Sequence, residues 1–352
     1  MREARLPAAD LEEATRLARE DLLALRGANL FITGGTGYIG KWLLEVLLHA
    51  DAALGLQLQG TVLTRDPAAF AASHPYLARA DGPFRFVAGD VRGFELRRAG
   101  FTHAIHAATD VVVTNTPLDT FDVTVDGTRR VLEACRAGGV RDVLLLSSGA
   151  IYGRIPESMT HVPESYGGRP DLSALGAAYG VGKLATEWLG SAYSQVHGLA
   201  CKSARVFAQV GPYLALDKQF AAGNFILDVL EGRPFVIKGD GTPMRSYMYG
   251  TDLAVWLLAI LVRGRPSAAY NVGSDHGVSI EELAHAVGAA AGIATPEVSI
   301  LTPRVEGRPR ERYVPDISLA RNELGLRIHT PLAAALTRTI TWYRDFRGVK
   351  AS

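Results

Sequence analysis

Short apolar runs alternate along the chain with longer segments whose apolar residues recur every three or four positions. The runs stand at Asn29–Thr33, Gly60–Thr64, Phe84–Ala88, Ala104–Ala107, Val143–Ser147 and Lys202–Phe207. Such brevity, with the β-branched and large apolar residues they contain, predicts buried strands. Helical segments fill the gaps, notably Lys41–Ala50, Asp126–Ala137 and Tyr179–His197. Strands alternating with helices predict βαβ units, and so an α/β fold built on a doubly wound parallel sheet. Ahead of this pattern, residues 11–25 set leucines at positions 11, 17, 22 and 25 between charges, which predicts one helix packed on the main body. After Phe207 the rhythm loosens, punctuated by Gly211-Pro212, Gly232, Pro234, Gly239, Gly241 and Pro243. This predicts a smaller mixed α/β lobe.

Composition narrows the function classes. With 37 basic and 36 acidic residues the formal charge is +1, which gives no electrostatic reason to expect a nucleic acid or an anionic membrane as partner. Apolar stretches such as Leu253–Val262 fall short of the roughly 20 residues that a membrane span needs. Charged residues are scattered through Met1–Glu20, so no signal peptide is expected and a cytoplasmic location is. Cys135 and Cys201 are expected to be buried, reduced thiols. No metal site is expected. His106, His161 and His276 have neither a carboxylate nor a second histidine at ligand spacing, and are read as loop or hydrogen-bonding residues.

The chemistry is concentrated in two places. Thr33-Gly34-Gly35-Thr36-Gly37-Tyr38-Ile39-Gly40 follows the first strand and opens a helix. A pyrophosphate needs the free N–H groups of a helix N-terminus and no side chain in its way. Gly34 and Gly37 would make the turn and admit the phosphate, with Tyr38 and Ile39 beside it. Gly40 would let the helix lie close to the strand. The second strand ends in Thr64-Arg65-Asp66, where a carboxylate on the ribose would select NAD and a guanidinium on a 2′-phosphate would select NADP. Thr64 followed by Arg65 favours NADP(H) over NAD(H); the competing reading puts Asp66 on the ribose.

The second place is the helix that opens with Tyr179 and Lys183, i and i+4 on one face. A hydride moving between carbon and nicotinamide must be matched by a proton moving at the neighbouring oxygen. A phenol supplies that proton if a cation lowers its affinity for it. Ser148, at the end of a buried strand, would orient the reacting oxygen, and Lys183 would also hold the nicotinamide ribose.

The glycine turn, Gly89-Asp90-Val91, His106-Ala107-Ala108, Ser147-Ser148 with Tyr152-Gly153, and Tyr179 with Lys183 occur in the order found in extended short-chain dehydrogenase/reductases, and the chain resembles that family to about Tyr343. The resemblance implies a Rossmann domain over 28–206 using parts of 246–275, a nucleotide-sugar lobe over 207–345 and a helical extension over 1–27. It implies that Asp90 and Val91 contact adenine, and that Ala107 and Ala108 line the cofactor. Asn224, Arg245 and Arg308 would hold a nucleoside diphosphate sugar, and the enzyme would be a homodimer. Two departures stand out. The sugar 4,6-dehydratases carry an acidic pair where Gly149 and Ala150 stand, and the UDP-glucuronate decarboxylases a glutamate at the place of Ala150. Thr124 replaces an asparagine usual in the family. These residues favour a 4-ketoreductase or 4-epimerase over a decarboxylase or dehydratase. A non-catalytic NAD(P)-binding sensor or scaffold would have no use for Ser148, Tyr179 and Lys183.

Overall fold

The computed structural model describes residues 4–95, 100–109, 116–305, 307 and 310–347. Its helices are α1 (Ala8–Leu17), α2 (Arg19–Ala24), α3 (Tyr38–Leu54), α4 (Pro67–Ser73), α5 (Pro117–Gly138), α6 (Ala178–His197), α7 (Ala221–Glu231), α8 (Gly250–Arg263), α9 (Ile280–Ala290), α10 (Ser318–Leu324) and α11 (Leu332–Arg347). The first six strands are β1 (Asn29–Thr33), β2 (Gln59–Thr64), β3 (Phe84–Ala88), β4 (His103–His106), β5 (Asp142–Ser148) and β6 (Ala200–Val206). Shorter strands follow: β7 (Gln209–Val210), β8 (Phe235–Ile237), β9 (Met244–Ser246), β10 (Met248–Tyr249), β11 (Ala269–Val272), β12 (Gly277–Ser279), β13 (Val298–Ile300) and β14 (Arg312–Tyr313).

One seven-stranded sheet runs in the order β11-β6-β5-β4-β1-β2-β3, every pair parallel. Parallel strands need crossovers, and the helices that make them bury both faces of the sheet. The central strands are accordingly apolar, with Leu30, Ile32, Val143, Leu144 and Leu145 wholly inaccessible to solvent. The chain moves outward from β1 in both directions, through β2 and β3 on one side and β4 onward on the other. The crevice at that reversal, at the C-terminal ends of β1 and β4, is where such sheets take ligands. The smaller strands form three separate sheets, β10-β7, β12-β9-β14 and β13-β8, while β11 returns to the main sheet beside β6.

Two elements differ from their sequence pattern. The helix expected over 11–25 is two helices, broken at Ala18 (φ −93°, ψ 14°), with Leu22 and Leu25 fully buried. Helix α5 begins at Pro117 rather than near Asp126. Thr116 Oγ1 accepts from the Asp119 amide, the Asp119 carboxylate accepts from the Thr116 amide, and Pro117 sits in the first turn, where it needs no N–H partner. Helix α5 ends at Gly139, whose φ of 76° suits a residue without Cβ.

Candidate active site

The glycine turn joins β1 to α3. Gly34 has a φ of 72°, and a Cβ there would lie 2.4 Å from the Ala107 carbonyl carbon. A Cβ on Gly40 would lie 2.3 Å from Gly34 O, so the helix can pack on the turn only with glycine here. Gly37 differs: the nearest atom to its would-be Cβ is Gly34 O at 3.4 Å, and no side chain caps the helix that it starts. The first-turn N–H groups of α3 thus open without a side-chain cap onto a cleft, the arrangement that a pyrophosphate requires. The cleft has a volume of about 620 Å³ and is lined by Gly34, Gly37, Thr64, Arg65, Asp90, Val91, Ala107 and Ala108, with Thr33, Thr109 and Arg92 among the others. These residues fit a dinucleotide cofactor. Tyr38 and Ile39 are not among the residues that line the cleft. Ile39 packs against the main hydrophobic core, and the buried Tyr38 hydroxyl lies beside Gly211. Asp66 Oδ1 accepts from the Ala69 amide at 2.9 Å and caps α4, while Arg65 faces the cleft. Asp90 is paired there with Arg92 at 2.9 Å.

Beneath the cleft a buried chain of polar groups fixes four elements together, β1, β4, α5 and α6. His106 Nδ1 meets Thr33 Oγ1 at 2.8 Å, and its Nε2 meets Thr128 Oγ1 of α5 at 3.1 Å. Thr128 Oγ1 in turn meets Thr186 Oγ1 of α6 at 3.0 Å. Burial lowers the His106 pKa to about 3, so the ring is neutral and acts as a strut. Thr124 also gains a physical account. Its hydroxyl donates to Thr120 O within α5, and a Cβ on Gly182 of α6 would lie 3.0 Å from its side chain. The threonine is a packing residue between these helices.

Helix α6 carries Tyr179 and Lys183 one turn apart, with the Lys183 Nζ 5.8 Å from the centre of the Tyr179 ring. Lys183 Nζ donates to Thr109 Oγ1 at 2.8 Å and to Leu146 O at 2.5 Å. Burial pulls this amine down to about 7 against the opposing pull of Glu187. Desolvation pushes the Tyr179 phenol up, and a hydrogen bond with Ser148 pulls it back. Ser148 stands at the end of β5, its Oγ accepting from the Ala150 amide at 3.2 Å. Glu187, a turn beyond Lys183, is held by the Arg205 guanidinium at 2.8 Å and accepts from the Ser147 hydroxyl.

Two aromatic residues that the sequence reading did not place at the site, Phe207 and Tyr313, close it. A Cβ on Gly149 would lie 2.7 Å from the Phe207 ring and 2.8 Å from the Tyr313 hydroxyl. Tyr313 lies opposite Arg245 in the β14–β9 pairing, and its Oη is 3.5 Å from Ser148 Oγ. Arg245 stacks 5.7 Å from the Tyr313 ring centre and pairs with Glu311 at 2.6 Å. Asn224 is exposed on α7, and the described hydrogen bonds do not tie it to this group. Arg308, with Glu306 and Pro309, lies outside the described residues. His161 Nε2 contacts Asp275 O at 2.9 Å in a loop. Both cysteines are free and buried. Among the described residues no cluster of three metal-ligating side chains occurs, and no helix is long and apolar enough to cross a membrane.

The model of the NAD dependent epimerase/dehydratase family matches residues 30–273. A UDP-glucuronic acid decarboxylase of Arabidopsis thaliana is 29% identical, over 84% of this chain and 83% of its own. The solved dTDP-glucose 4,6-dehydratase of Streptomyces venezuelae, with NAD and TYD bound, is 27% identical at a TM-score of 0.75, over 91% of this chain and 98% of its own. The UDP-glucose 4-epimerase of Thermus thermophilus, solved with NAD, is 28% identical at a TM-score of 0.72, over 92% of this chain and 100% of its own.

Proposed function

Because this chain belongs to the NAD dependent epimerase/dehydratase family, we propose that it moves a hydride at C4 of a sugar carried by a nucleoside diphosphate, as a 4-ketoreductase or a 4-epimerase. The observation that carries this reading is the crowding at Gly149. The acidic pair of the dehydratases would begin there, yet a Cβ at that position would lie 2.7 Å from the Phe207 ring and 2.8 Å from the Tyr313 hydroxyl, so a side chain would have to displace both. Ala150 supplies no carboxylate at the place of the decarboxylase glutamate. The nearby Glu187 is engaged by Arg205 and Ser147. What the site offers is a phenol, a serine and an amine, enough to exchange one proton in step with one hydride.

A bound nicotinamide dinucleotide supplies the hydride donor or acceptor. Tyr179 takes or returns the proton of the C4 oxygen, and Ser148 hydrogen-bonds that oxygen. Lys183 holds the nicotinamide ribose and, when charged, stabilises the phenolate. Arg245, Arg308 and Asn224 hold the diphosphate. Incubation with a panel of nucleotide sugars and 4-keto nucleotide sugars, with NADPH or NADH, tests the proposal. Reduction or inversion at C4 is expected; loss of water or carbon dioxide would overturn it. The likeness to the Thermus thermophilus 4-epimerase is in keeping with the epimerase reading, though the Streptomyces venezuelae dehydratase is as similar. The reductase reading is supported by Arg65, since NADPH that is consumed and released suits a reductase.

Two arginines should separate cofactor from sugar. Arg65→Ala is expected to weaken NADPH binding roughly 10-fold and leave NADH binding alone, since a charge-assisted bond to the 2′-phosphate is lost and solvent partly screens it. Arg245→Ala is expected to raise KM for the nucleotide sugar roughly 10- to 100-fold without touching cofactor affinity. Because Arg245 must first exchange Glu311 for the diphosphate, the lower end of that range is expected. Calorimetry and steady-state kinetics read the two effects, and crossed effects would refute both assignments.

A homodimer is proposed to form over the outer face of α5 and α6, where Leu118, Leu184 and Trp188 are 75%, 39% and 67% exposed. Light scattering should give the mass of a dimer for the native chain and of a monomer for Trp188→Glu. A native monomer would contradict this.

A further inference from the structure

The hydrogen-bonding capacity of Ser148 can be counted. A serine hydroxyl has one donor and two acceptor positions. Ser148 Oγ already accepts from the Ala150 amide at 3.2 Å. The Tyr313 hydroxyl stands 3.5 Å away on another side. That distance is long for two hydroxyls, the separation expected of a catalytic hydrogen bond before a ligand closes on it. If Tyr313 donates, both acceptor positions are filled. The single Ser148 O–H is then left for a third partner, and Tyr179, whose phenol Ser148 pulls down, is the neighbour that can share it with the reacting oxygen.

The placement of Tyr313 is built by three separate features. Strand β14 pairs with β9 so that Tyr313 lies opposite Arg245. The Tyr313 ring packs on Phe207 with centroids 4.6 Å apart. Position 149 is glycine, and a Cβ there would crowd the hydroxyl at 2.8 Å. We propose that Tyr313 is a positioning residue whose hydroxyl donates to Ser148 Oγ and so commits the serine proton to the reacting oxygen and Tyr179. The same residue ties that commitment to the strand bearing Arg245. The inference rests on the reading of Ser148 and Tyr179 given above.

Tyr313→Phe keeps the ring on Phe207 and removes only the hydroxyl. It is expected to lower kcat roughly 10-fold and to change KM for the nucleotide sugar less than about threefold. In a Ser148→Ala background the same change should cost nothing further, because Tyr313 acts through the serine. A second readout needs no sugar substrate. With tyrosine isotope-labelled at Cζ and oxidised dinucleotide bound, NMR follows the Tyr179 resonance, identified by its loss in Tyr179→Phe. Tyr313→Phe should raise its titration midpoint by about half a unit to one unit, and not at all in Ser148→Ala. An unmoved midpoint, or an equal shift in both backgrounds, overturns the role of Tyr313. If no nucleotide sugar is turned over, the functional reading fails, and the titration still decides the role of Tyr313.

Discussion

Tyr179→Phe is expected to lower kcat by roughly 100- to 10,000-fold while leaving cofactor and sugar binding within about twofold. The substitution removes one oxygen and leaves the ring on α6, so the packing of the helix is kept. What is lost is the proton carrier. Burial alone makes the phenol a poor one, since desolvation pushes its pKa up. The hydrogen bond to Ser148 opposes this, and the positive charge of an oxidised nicotinamide would oppose it further. Single-turnover kinetics on the variant give the chemical step directly. A rate near that of the native enzyme would show that another group carries the proton.

Lys183→Met is expected to cost about 100-fold in kcat/KM, and to change how stability depends on pH. Lys183 falls from an ordinary value of 10.5 to about 7 in the fold. Between those values the unfolded chain binds more protons than the folded one. The contribution of Lys183 to stability therefore improves as pH rises from about 7 to about 10.5; below about 7 the folded state bears the full cost of a buried charge. Methionine has no such dependence. The stability of the variant relative to the native chain should thus fall with rising pH, by at most about 1.4 kcal/mol per unit. The lost bonds to Thr109 and Leu146 offset the comparison by a constant amount without altering its slope. Urea unfolding of the cofactor-free proteins near pH 7 and near pH 9 measures the difference, and a variant whose stability relative to the native chain stays level or rises would contradict the assignment.

Six of the seven strands of the main sheet were legible because each is a compact apolar run bounded by turn residues; β11, the four residues Ala269–Val272, was not among those runs. Strands β1 and β3 match their runs residue for residue. Helix α5 was legible only from its middle. The polar opening Pro117–Asp122 hides the periodicity, and the start is set instead by the capping box of Thr116 and Asp119. The break at Ala18 left no mark on the leucine spacing of the first helices. At the site, the glycines, Ser148, Tyr179 and Lys183 announce themselves by local spacing. Tyr313 does not: its partner Ser148 is 165 positions away, and the strand that delivers it is two residues long. No periodic pattern can develop over two residues. The role of Asp66 likewise needed the structure, since a carboxylate after β2 reads equally as a ribose ligand or as a helix cap.

The central claim is that the hydride moves at C4. A nucleotide hexose deuterated at C4, incubated with the enzyme and oxidised cofactor, tests it most directly, with the fate of the label read by NMR. The account predicts that deuterium appears either on the nicotinamide ring or back at C4 of the inverted sugar. Deuterium that never leaves the starting sugar during turnover, or that is delivered to a different carbon with loss of water, would contradict it.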